Sequence, residues 1–395
     1  MIRLRQDANN RGAAAMPDRD AGRCARLWPW LACGLTLALA SPTPAQEAAD
    51  GEAEAALPGD PQARVDPIVG DEYTEQSRRA VERGLAWLAG QQNDDGTFGR
   101  GGGGMGSSSG ITGIGGLALM SSGSLPDRGP YGLEVRRAVD AVMAQAQPSG
   151  LLSRENAHGV MYSHGFAALF LGEVYGMTGD DRVKEVVQRA VRLIEKTQNS
   201  EGGWRYQPAP VDADISVTIC QIMALRAARD AGIRVDAEVI EKAVEYVKNC
   251  QTRDGGFSYM LSGGEPSGGS AFPRSAAGVA SLYYAGIYEG EAVDDGLEYL
   301  LRYKPGDRGR AGRGGNVGNH YFYGHYYAVQ TMFLAGGDYW AEWFPAIREE
   351  LVANQRAEGN WSSEVNDEYS TAMALIILQM PNRYLPVFSG KGPGS

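Results

Sequence analysis

A repeat of about 53 residues constrains the fold of this chain more than any other feature. One position in each copy, usually a small side chain, recurs at intervals of 54, 52, 53, 53 and 51 residues. These positions are Gly84, Ala138, Ala190, Ala243, Gly296 and Ile347. A period this constant predicts a single domain built from six copies of one structural unit.

The third copy shows what the unit is. Apolar residues recur at helical spacing between Val183 and Ile194, which predicts an amphipathic helix. The segment from Asp214 to Ala231 is apolar on most sides in its first half, so we expect a second, more buried helix. Each unit is therefore an outer helix, a turn and an inner helix.

The turn has a signature of Gln, then Gly, then an aromatic residue. The clear copies are Gln92-Gly96-Phe98, Gln198-Gly202-Trp204, Gln251-Gly255-Phe257 and Gln355-Gly359-Trp361. We expect the Gln amide to satisfy carbonyls at the open end of the outer helix, the Gly to adopt a positive φ, and the aromatic ring to cover the turn. These roles are structural.

Six units give twelve helices, which can stack as an open solenoid or close into a double ring. The end copies do not resemble polar caps, and a closed ring exposes no apolar end, so the ring is favoured. The predicted inner helices are 111–121, 163–175, 214–231, 274–287, 323–334 and 369–380.

The Gln-xxx-Gly-x-Trp turn, after a helix that begins Arg-Ala or Lys-Ala, resembles the prenyltransferase/squalene-oxidase repeat. This repeat belongs to squalene and triterpene cyclases and to protein prenyltransferase β-subunits. The resemblance covers Tyr73 to Phe388 and implies an all-α fold, the α/α toroid of six outer and six inner helices. Non-catalytic proteins also use this ring, so the resemblance leaves the reaction open.

The residues ahead of the repeats predict an exported protein. An arginine-bearing segment precedes an apolar run from Leu27 to Ala40, and small residues follow, as in a secretory signal peptide. We predict a signal peptide over 1–45, cleaved after Ala40 or Ala45. Met16 competes with Met1 as the start, and an uncleaved anchor or a lipoprotein attached through Cys33 are the alternatives.

The remainder of the chain divides into a disordered linker at 46–71, the toroid at 72–388 and a tail at 389–395. The formal charge is −11, and the first 45 residues contribute six Arg and three Asp, a net of +3, which leaves −14 for the rest. Such an acidic chain argues against nucleic acid and anionic membrane surfaces as partners. We expect a secreted or periplasmic protein without a transmembrane helix in the mature chain; the oligomeric state is open.

In a toroid all inner helices begin at the same end, so the positive ends of six helix dipoles surround one mouth. The polar residues predicted there are unusual for this chain. They comprise the histidines His158, His164, His320 and His325, the acids Asp212, Asp214 and Glu368, Arg274, and the tyrosines Tyr162, Tyr321 and Tyr323. The glycine-rich segments 100–110, 262–270 and 305–319 also fall on this side and could act as lids.

The segment Asp212-Ala-Asp214-Ile-Ser resembles the Asp-x-Asp-Asp-Thr proton-donor motif of squalene cyclases. The resemblance implies that Asp214 is the acid that protonates an alkene, with Asp212 beside it. Ile215 and Ser216 replace the third Asp and the Thr, so the acidic cluster is incomplete. The structural alternative is that these aspartates cap the third inner helix.

His164, His320 and His325 are candidates for acid–base catalysis, with aromatic lining of a polar mouth as the alternative. A zinc site like that of protein prenyltransferases is disfavoured, because Cys220 lies two turns into its helix. We therefore predict no metal and no cofactor. Asp180-Asp181 and Asp294-Asp295 are interpreted as helix starts, Gly101–Gly104 as a flexible connector, and Cys220 and Cys250 as small buried residues or one disulfide.

Three functions remain open. The first is a terpene-cyclase-like protein that holds an apolar, isoprenoid-like ligand, with Asp214 as general acid. The second is a non-catalytic secreted toroid that binds lipid, peptide or glycan. The third is a carbohydrate-active enzyme, which needs paired carboxylates such as Asp214 and Glu368.

Overall fold

The computed structural model describes residues 72–99, 108–154, 159–306 and 320–389. Within them, helices of an outer layer alternate along the chain with helices of an inner layer. The outer helices are α1 (Glu75–Gly90), α3 (Gly132–Ala144), α5 (Asp181–Thr197), α7 (Ala237–Asn249), α9 (Glu291–Leu301) and α11 (Gly337–Asn354). The inner helices are α2 (Ser109–Met120), α4 (Val160–Thr178), α6 (Ile215–Asp230), α8 (Phe272–Ala285), α10 (Tyr321–Ala335) and α12 (Asp367–Leu378).

The inner layer is a closed ring. Each inner helix packs against the next, from α2 through α12, and α12 packs against α2. The outer helix α1 likewise contacts α11, so the first and last repeats meet in both layers. The predicted all-α toroid of six repeats is confirmed.

Burial distinguishes the two layers as the sequence pattern predicts. On α5 the buried residues form one stripe that includes Val183, Val187 and Ile194, whereas α6 is buried on nearly every side from Ile215 to Ala228. Each fully buried aliphatic side chain stabilises the fold by roughly 1.5–3 kcal/mol. The ring is thus held by apolar packing of inner helices on both neighbours and on the outer layer.

The Gln of the turn joins neighbouring repeats. Gln198 Nε2 donates to Gly202 O and to Val239 O in the first turn of the next outer helix, at 2.8 Å each. Gln92 and Gln251 repeat this pattern. Gln355 donates to Ala80 O of α1 at 2.8 Å, and this bond connects the sixth repeat to the first.

The expectation that Gln satisfies carbonyls of its own outer helix is wrong. Gln198 and Gln355 have extended backbone conformations at the helix end, so their side chains lead away from the helix. The tryptophan takes that role instead. The indole N–H of Trp204 donates to Ile194 O, and that of Trp361 to Leu351 O, both at 2.8 Å in the last turn of the outer helix.

The turn glycine is required for two reasons. Gly202 has a φ of 99°, and a Cβ there would lie 2.1 Å from Lys242 O of the next outer helix. The positive φ disfavours any L side chain, and the close approach excludes one. The glycine thus lets adjacent repeats pack closely enough for the Gln bonds to form.

The C-terminal segment covers the end of the ring opposite the starts of the inner helices. Gln379 and Asn382 donate to carbonyls at the end of α2, namely Ala118 O and Ser121 O. The short helix Pro386–Ser389 packs against α6, and the fully buried Val387 donates its N–H to Glu173 Oε2 at 3.2 Å. This end of the ring is therefore packed with the chain's own residues.

Several predictions lie outside the described residues: the signal peptide, the linker, the tail after residue 389, His158, Gly101–Gly104 and most of the loops 100–110 and 305–319. The glycine-rich segment 262–270 lies within the described residues, and its role as a lid stays a prediction. With the two residues before it, this segment forms an antiparallel hairpin of β1 (Met260–Ser262) and β2 (Glu265–Ser267), because Gly263 and Gly264 both adopt the positive φ that a tight two-residue turn needs.

The two cysteines of the toroid are free and buried, which selects the unpaired interpretation over a disulfide. Asp180 caps α5 and Asp294 lies in the first turn of α9, as the interpretation of these acidic pairs as helix starts predicts. In the described residues no helix is long and apolar enough to cross a membrane.

Candidate functional site

A cavity of about 760 Å³ lies where the inner helices begin. Every inner helix contributes residues from its start: Gly110 and Ile111 from α2, Tyr162 and Ser163 from α4, Ser216 from α6, Pro273 and Arg274 from α8, Tyr323 from α10 and Tyr369 from α12. The predicted common mouth of the ring is thus a real cavity. Its volume falls within the roughly 300–1,000 Å³ of typical ligand sites.

The wall of the cavity is aromatic and rich in hydroxyl groups. Six rings line it: Tyr162, Phe166, Tyr206, Tyr259, Tyr323 and Tyr369. Among the described lining residues the ionisable side chains other than tyrosine are Arg274 and His320, and none is a carboxylate. Such a wall favours an apolar ligand whose polar end is held by a few hydroxyl groups.

Asp214 lies behind this wall. Its side chain is fully buried, and Oδ1 accepts the N–H groups of Ser216 and Val217 at 2.9 Å each, which caps α6. Oδ1 therefore has the helix-capping role that was the structural alternative for Asp214. Oδ2 is different, because no hydrogen bond reaches it from the described residues.

Burial raises the pKa of Asp214 to about 6, and the Val217 N–H, the Tyr259 hydroxyl and the Arg205 guanidinium act against that rise. Arg205 Nε lies 3.7 Å from Asp214 Oδ2 and is itself buried without a hydrogen-bond partner in the described chain. Burial thus shifts the pKa of Asp214 towards neutral pH, although the side chain has no surface in the cavity.

Asp212 does not reach the cavity. It is half exposed in a surface depression, and its Oδ2 lies 2.5 Å from Arg205 Nη1. The second acid of the motif therefore anchors Arg205 instead of acting beside Asp214 on a ligand. Arg205 in turn lies over the rings of Tyr206 and Tyr259, at 5.0 Å and 5.9 Å from their centroids.

The hydroxyl groups of Tyr206 and Tyr259 hydrogen-bond to each other at the cavity wall. Backbone bonds fix both residues to helix starts: Met161 N donates to Tyr206 O at 3.1 Å, and Ile215 N donates to Tyr259 O at 3.0 Å. Burial, followed by the charge of Asp214, raises the pKa of Tyr259, so it stays protonated at neutral pH. Tyr259 therefore both lines the cavity and interacts electrostatically with the buried Asp214.

His164 serves the fold in the described structure. Its Nδ1 accepts the N–H of Leu152 at 3.2 Å, and its ring is fully buried and absent from the cavity wall. In four of the other repeats a hydroxyl group accepts the backbone N–H of the turn aromatic in the same way. The bonds are Phe98 N to Thr112, Trp204 N to Thr218, Phe257 N to Ser275 and Trp361 N to Thr371.

Burial lowers the pKa of His164 to about 4 and that of His325 to about 3, so both rings are neutral at physiological pH. His325 occupies the corresponding fifth position of α10 and packs between Phe272 and Tyr321, with ring centroids 4.8 Å and 4.4 Å away. Catalysis by either histidine stays a prediction, and their surroundings favour structural roles.

Of the other predicted site residues, Tyr162, Tyr323, Arg274 and His320 line the cavity. His320 is largely exposed, and its backbone N–H donates to Glu364 at 2.9 Å. Two more are not part of the described wall. Tyr321 donates to Glu350 at 2.8 Å, and Glu368 is buried in the first turn of α12.

Sequence reasoning missed Tyr206, Tyr259 and Arg205. The two tyrosines lie one repeat apart, each two residues after the turn aromatic, Trp204 or Phe257. The repeat period therefore places these two tyrosines at equivalent positions of consecutive repeats, and this equivalence could have identified them as neighbours. Arg205 had no such signal, because its role depends on ion pairs with two aspartates.

The profile of the prenyltransferase alpha-alpha toroid domain matches residues 68–318, more than half of the chain. The chain belongs to the prenyltransferase α/α-toroid family. No curated protein sequence matches it.

Solved structures share the toroid at low sequence identity. An inactive variant of the α-1,6-mannanase GH76A of Salegentibacter sp. HEL1_6, in complex with α-1,6-mannotriose, is 13% identical with a TM-score of 0.58, covering 78% of this chain and 99% of its own. The type II terpene cyclase MstE from Scytonema is 13% identical with a TM-score of 0.54, over 78% and 99%. A protein from Actinoplanes is 16% identical with a TM-score of 0.53, over 80% and 100%.

Within the prenyltransferase α/α-toroid family, this likeness establishes the fold and not the reaction, since the mannanase and the cyclase act on unrelated molecules. In the described part of this chain no three His, Cys, Asp or Glu side chains gather as a metal-binding group.

Proposed function

We propose that this toroid binds an elongated, mostly apolar molecule of the isoprenoid class in its central cavity. The aromatic-lined cavity at the starts of the six inner helices carries the proposal. Aromatic rings offer large apolar contact area, and their hydroxyl edges can hold one polar end of a ligand. The type II cyclase MstE, whose fold this chain shares, has been solved in complex with geranylgeranyl dihydroxybenzoate, which supports this class.

Acid catalysis by Asp214 is a second step that the site could support. Its raised pKa suits a general acid, yet its full burial means that a proton must travel through other groups to reach a ligand. Binding is therefore the function that the geometry supports best.

The carbohydrate-active alternative receives less support from the cavity. A glycosidase needs two carboxyl groups that flank the scissile bond. Asp214 and Glu368 are both buried, and the described wall carries no Asp or Glu. The mannanase likeness alone does not supply the missing acids.

The test is to purify the chain, extract it with organic solvent and identify co-purifying molecules by mass spectrometry. Binding of farnesol to the delipidated protein is then followed by intrinsic fluorescence. Ala271→Phe fills the cavity wall and should abolish binding, whereas Ala237→Phe, on the exposed start of α7, should not. Saturable farnesol binding that survives Ala271→Phe would place the ligand elsewhere.

We also propose that the chain is exported, as the segment 1–45 predicts. Expression of the full chain with a C-terminal tag, followed by fractionation and mass determination of the mature N-terminus, tests this. Recovery of the uncleaved chain from the cytoplasm would contradict it.

A further inference from the structure

Arg274 is a cation of the cavity wall that has no carboxylate partner in the described chain. His320, the other basic side chain of the described wall, has Nδ1 3.4 Å from Glu364 Oε1. Behind the wall, Arg205 is held by Asp212, whose Oδ2 lies 2.5 Å from Arg205 Nη1. The described residues place no Asp or Glu oxygen within ion-pair distance of Arg274. The cavity therefore carries a positive charge that the described wall does not balance.

Most of the hydrogen-bond donors of Arg274 are also without a partner. Its Nη2 donates to Gly269 O, whereas Nε is buried and unpaired among the described residues. A guanidinium offers five N–H donors in a planar fork, which matches the two oxygens of a carboxylate. An oxygen anion in the cavity can therefore bind Arg274 without displacing a carboxylate of the described chain.

The start of α8 adds to this positive charge. Ser270, Ala271 and Pro273 line the cavity together with Arg274. Side chains cap the inner helices α2, α6 and α12, but the N-cap residue of α8 is Ala271, which has no oxygen for that role. The N-terminal end of a helix carries partial positive charge and unpaired N–H groups, and both favour an anion nearby. This part of the wall thus combines a full and a partial positive charge.

The amount of charge limits the kind of anion. One guanidinium balances one negative charge, which is the charge of a carboxylate at neutral pH. A diphosphate carries more negative charge than the described wall can balance, and burial of an unbalanced charge is strongly unfavourable. The aromatic rings of the rest of the wall suit the apolar chain of such a ligand.

We propose that the cavity recognises a long-chain isoprenoid acid, whose carboxylate binds Arg274 at the start of α8 and whose chain packs against the aromatic rings. This inference rests on the proposed function and narrows it from isoprenoid molecules in general to acids. It assigns Arg274 to direct contact with the ligand and gives His320 no part in holding the carboxylate.

The test compares farnesoic acid, farnesol and farnesyl diphosphate, three probes that share one chain and differ in the polar end. Isothermal titration calorimetry on the delipidated protein at neutral pH measures the three dissociation constants. We expect farnesoic acid to bind about ten-fold more tightly than farnesol, the effect of a hydrogen bond between charged groups. Farnesyl diphosphate should bind more weakly than the acid.

Arg274→Gln removes the charge and should bring the two dissociation constants of acid and alcohol close to each other, while farnesol binds as in the unmodified protein. Arg274→Lys keeps the charge without the planar fork, so it should retain part of the preference. Two controls should keep all of it: His320→Gln at the same wall, and Arg253→Gln, which makes the same change of charge at an exposed position outside the cavity.

Equal affinity for acid and alcohol in the unmodified protein, or a preference for the acid that persists in Arg274→Gln, would overturn the carboxylate site and leave the proposed function intact. Tighter binding of farnesyl diphosphate than of the acid would overturn the choice of a carboxylate. Binding of none of the three probes would overturn the proposed function as well. A preference that Arg274→Gln abolishes and Arg274→Lys partly restores supports the inference.

Discussion

The buried carboxyl group of Glu173 predicts that this toroid loses stability as pH rises. Glu173 lies on α4, 3% exposed, and accepts the Val387 N–H of the C-terminal segment at 3.2 Å. Arg226 and Asp230 of α6, Tyr284 of α8 and Tyr326 of α10 are the other ionisable groups that interact with it. Burial outweighs the hydrogen bond and raises its pKa from 4.5 to about 8.

The direction of this pH dependence follows from the protons bound by the folded and unfolded chains. Between pH 4.5 and 8 the folded protein holds a proton on Glu173 that the unfolded chain releases, so the free energy of unfolding falls with pH. The contribution of protonated Glu173 to the free energy of unfolding is fully present below pH 4.5 and is lost as the pH rises through 8. At 1.36 kcal/mol per unit, the rise to about 8 corresponds to a loss of about 5 kcal/mol, of which about 3 kcal/mol is already lost at pH 7.

Glu173→Gln keeps an oxygen for the Val387 N–H and removes the titration. We expect the variant to match the unmodified protein near pH 4.5 and to melt roughly 6 °C higher at pH 7, measured by circular dichroism. Glu245→Gln, on the exposed face of α7, is the matched control and should give no such divergence. Melting curves of Glu173→Gln that run parallel to those of the unmodified protein from pH 4.5 to 8 would refute the reasoning.

Three further predictions concern the repeat. Gly202→Ala should destabilise the fold by several kcal/mol more than Gly232→Ala, because both have positive φ but only the first would meet a carbonyl, at 2.1 Å; equal urea midpoints would contradict this. Gln355→Ala removes the bond to Ala80 that joins the last repeat to the first, and the bond to Gly359 within its own repeat. It should cost about 1–3 kcal/mol by urea unfolding, with faster amide exchange in the N-terminal repeat. His164→Thr should fold with a hydroxyl in place of the imidazole, whereas His164→Leu leaves a backbone N–H unpaired and should lower the melting temperature.

Much of the fold could be predicted from the sequence because the information is local. The period, the amphipathic stripe of α5 and the apolar run of α6 specify which helices face inward. The glycine at position 202 marks a positive φ that few other residues tolerate. These features depend on residues that are close together in the sequence, so they can be recognised without a structure.

The candidate site was predicted less well, because its chemistry depends on contacts between repeats. The segment at 212–214 pointed to the correct helix start, yet only the tertiary structure placed Asp214 behind the wall and turned Asp212 towards Arg205. His164 accepts the Leu152 N–H, where four other repeats use a hydroxyl group, and only the tertiary structure shows this bond.

By itself the sequence determined a six-fold toroid, the end at which its inner helices begin, and the unusual polar residues gathered there. Only the tertiary structure decided which of them reach the cavity, and it brought Tyr206 and Tyr259 together from consecutive repeats. The physical reason is that helix period and turn geometry are set within one repeat. The burial of a carboxyl group and the partner of a hydroxyl are set by neighbouring repeats once the ring has closed.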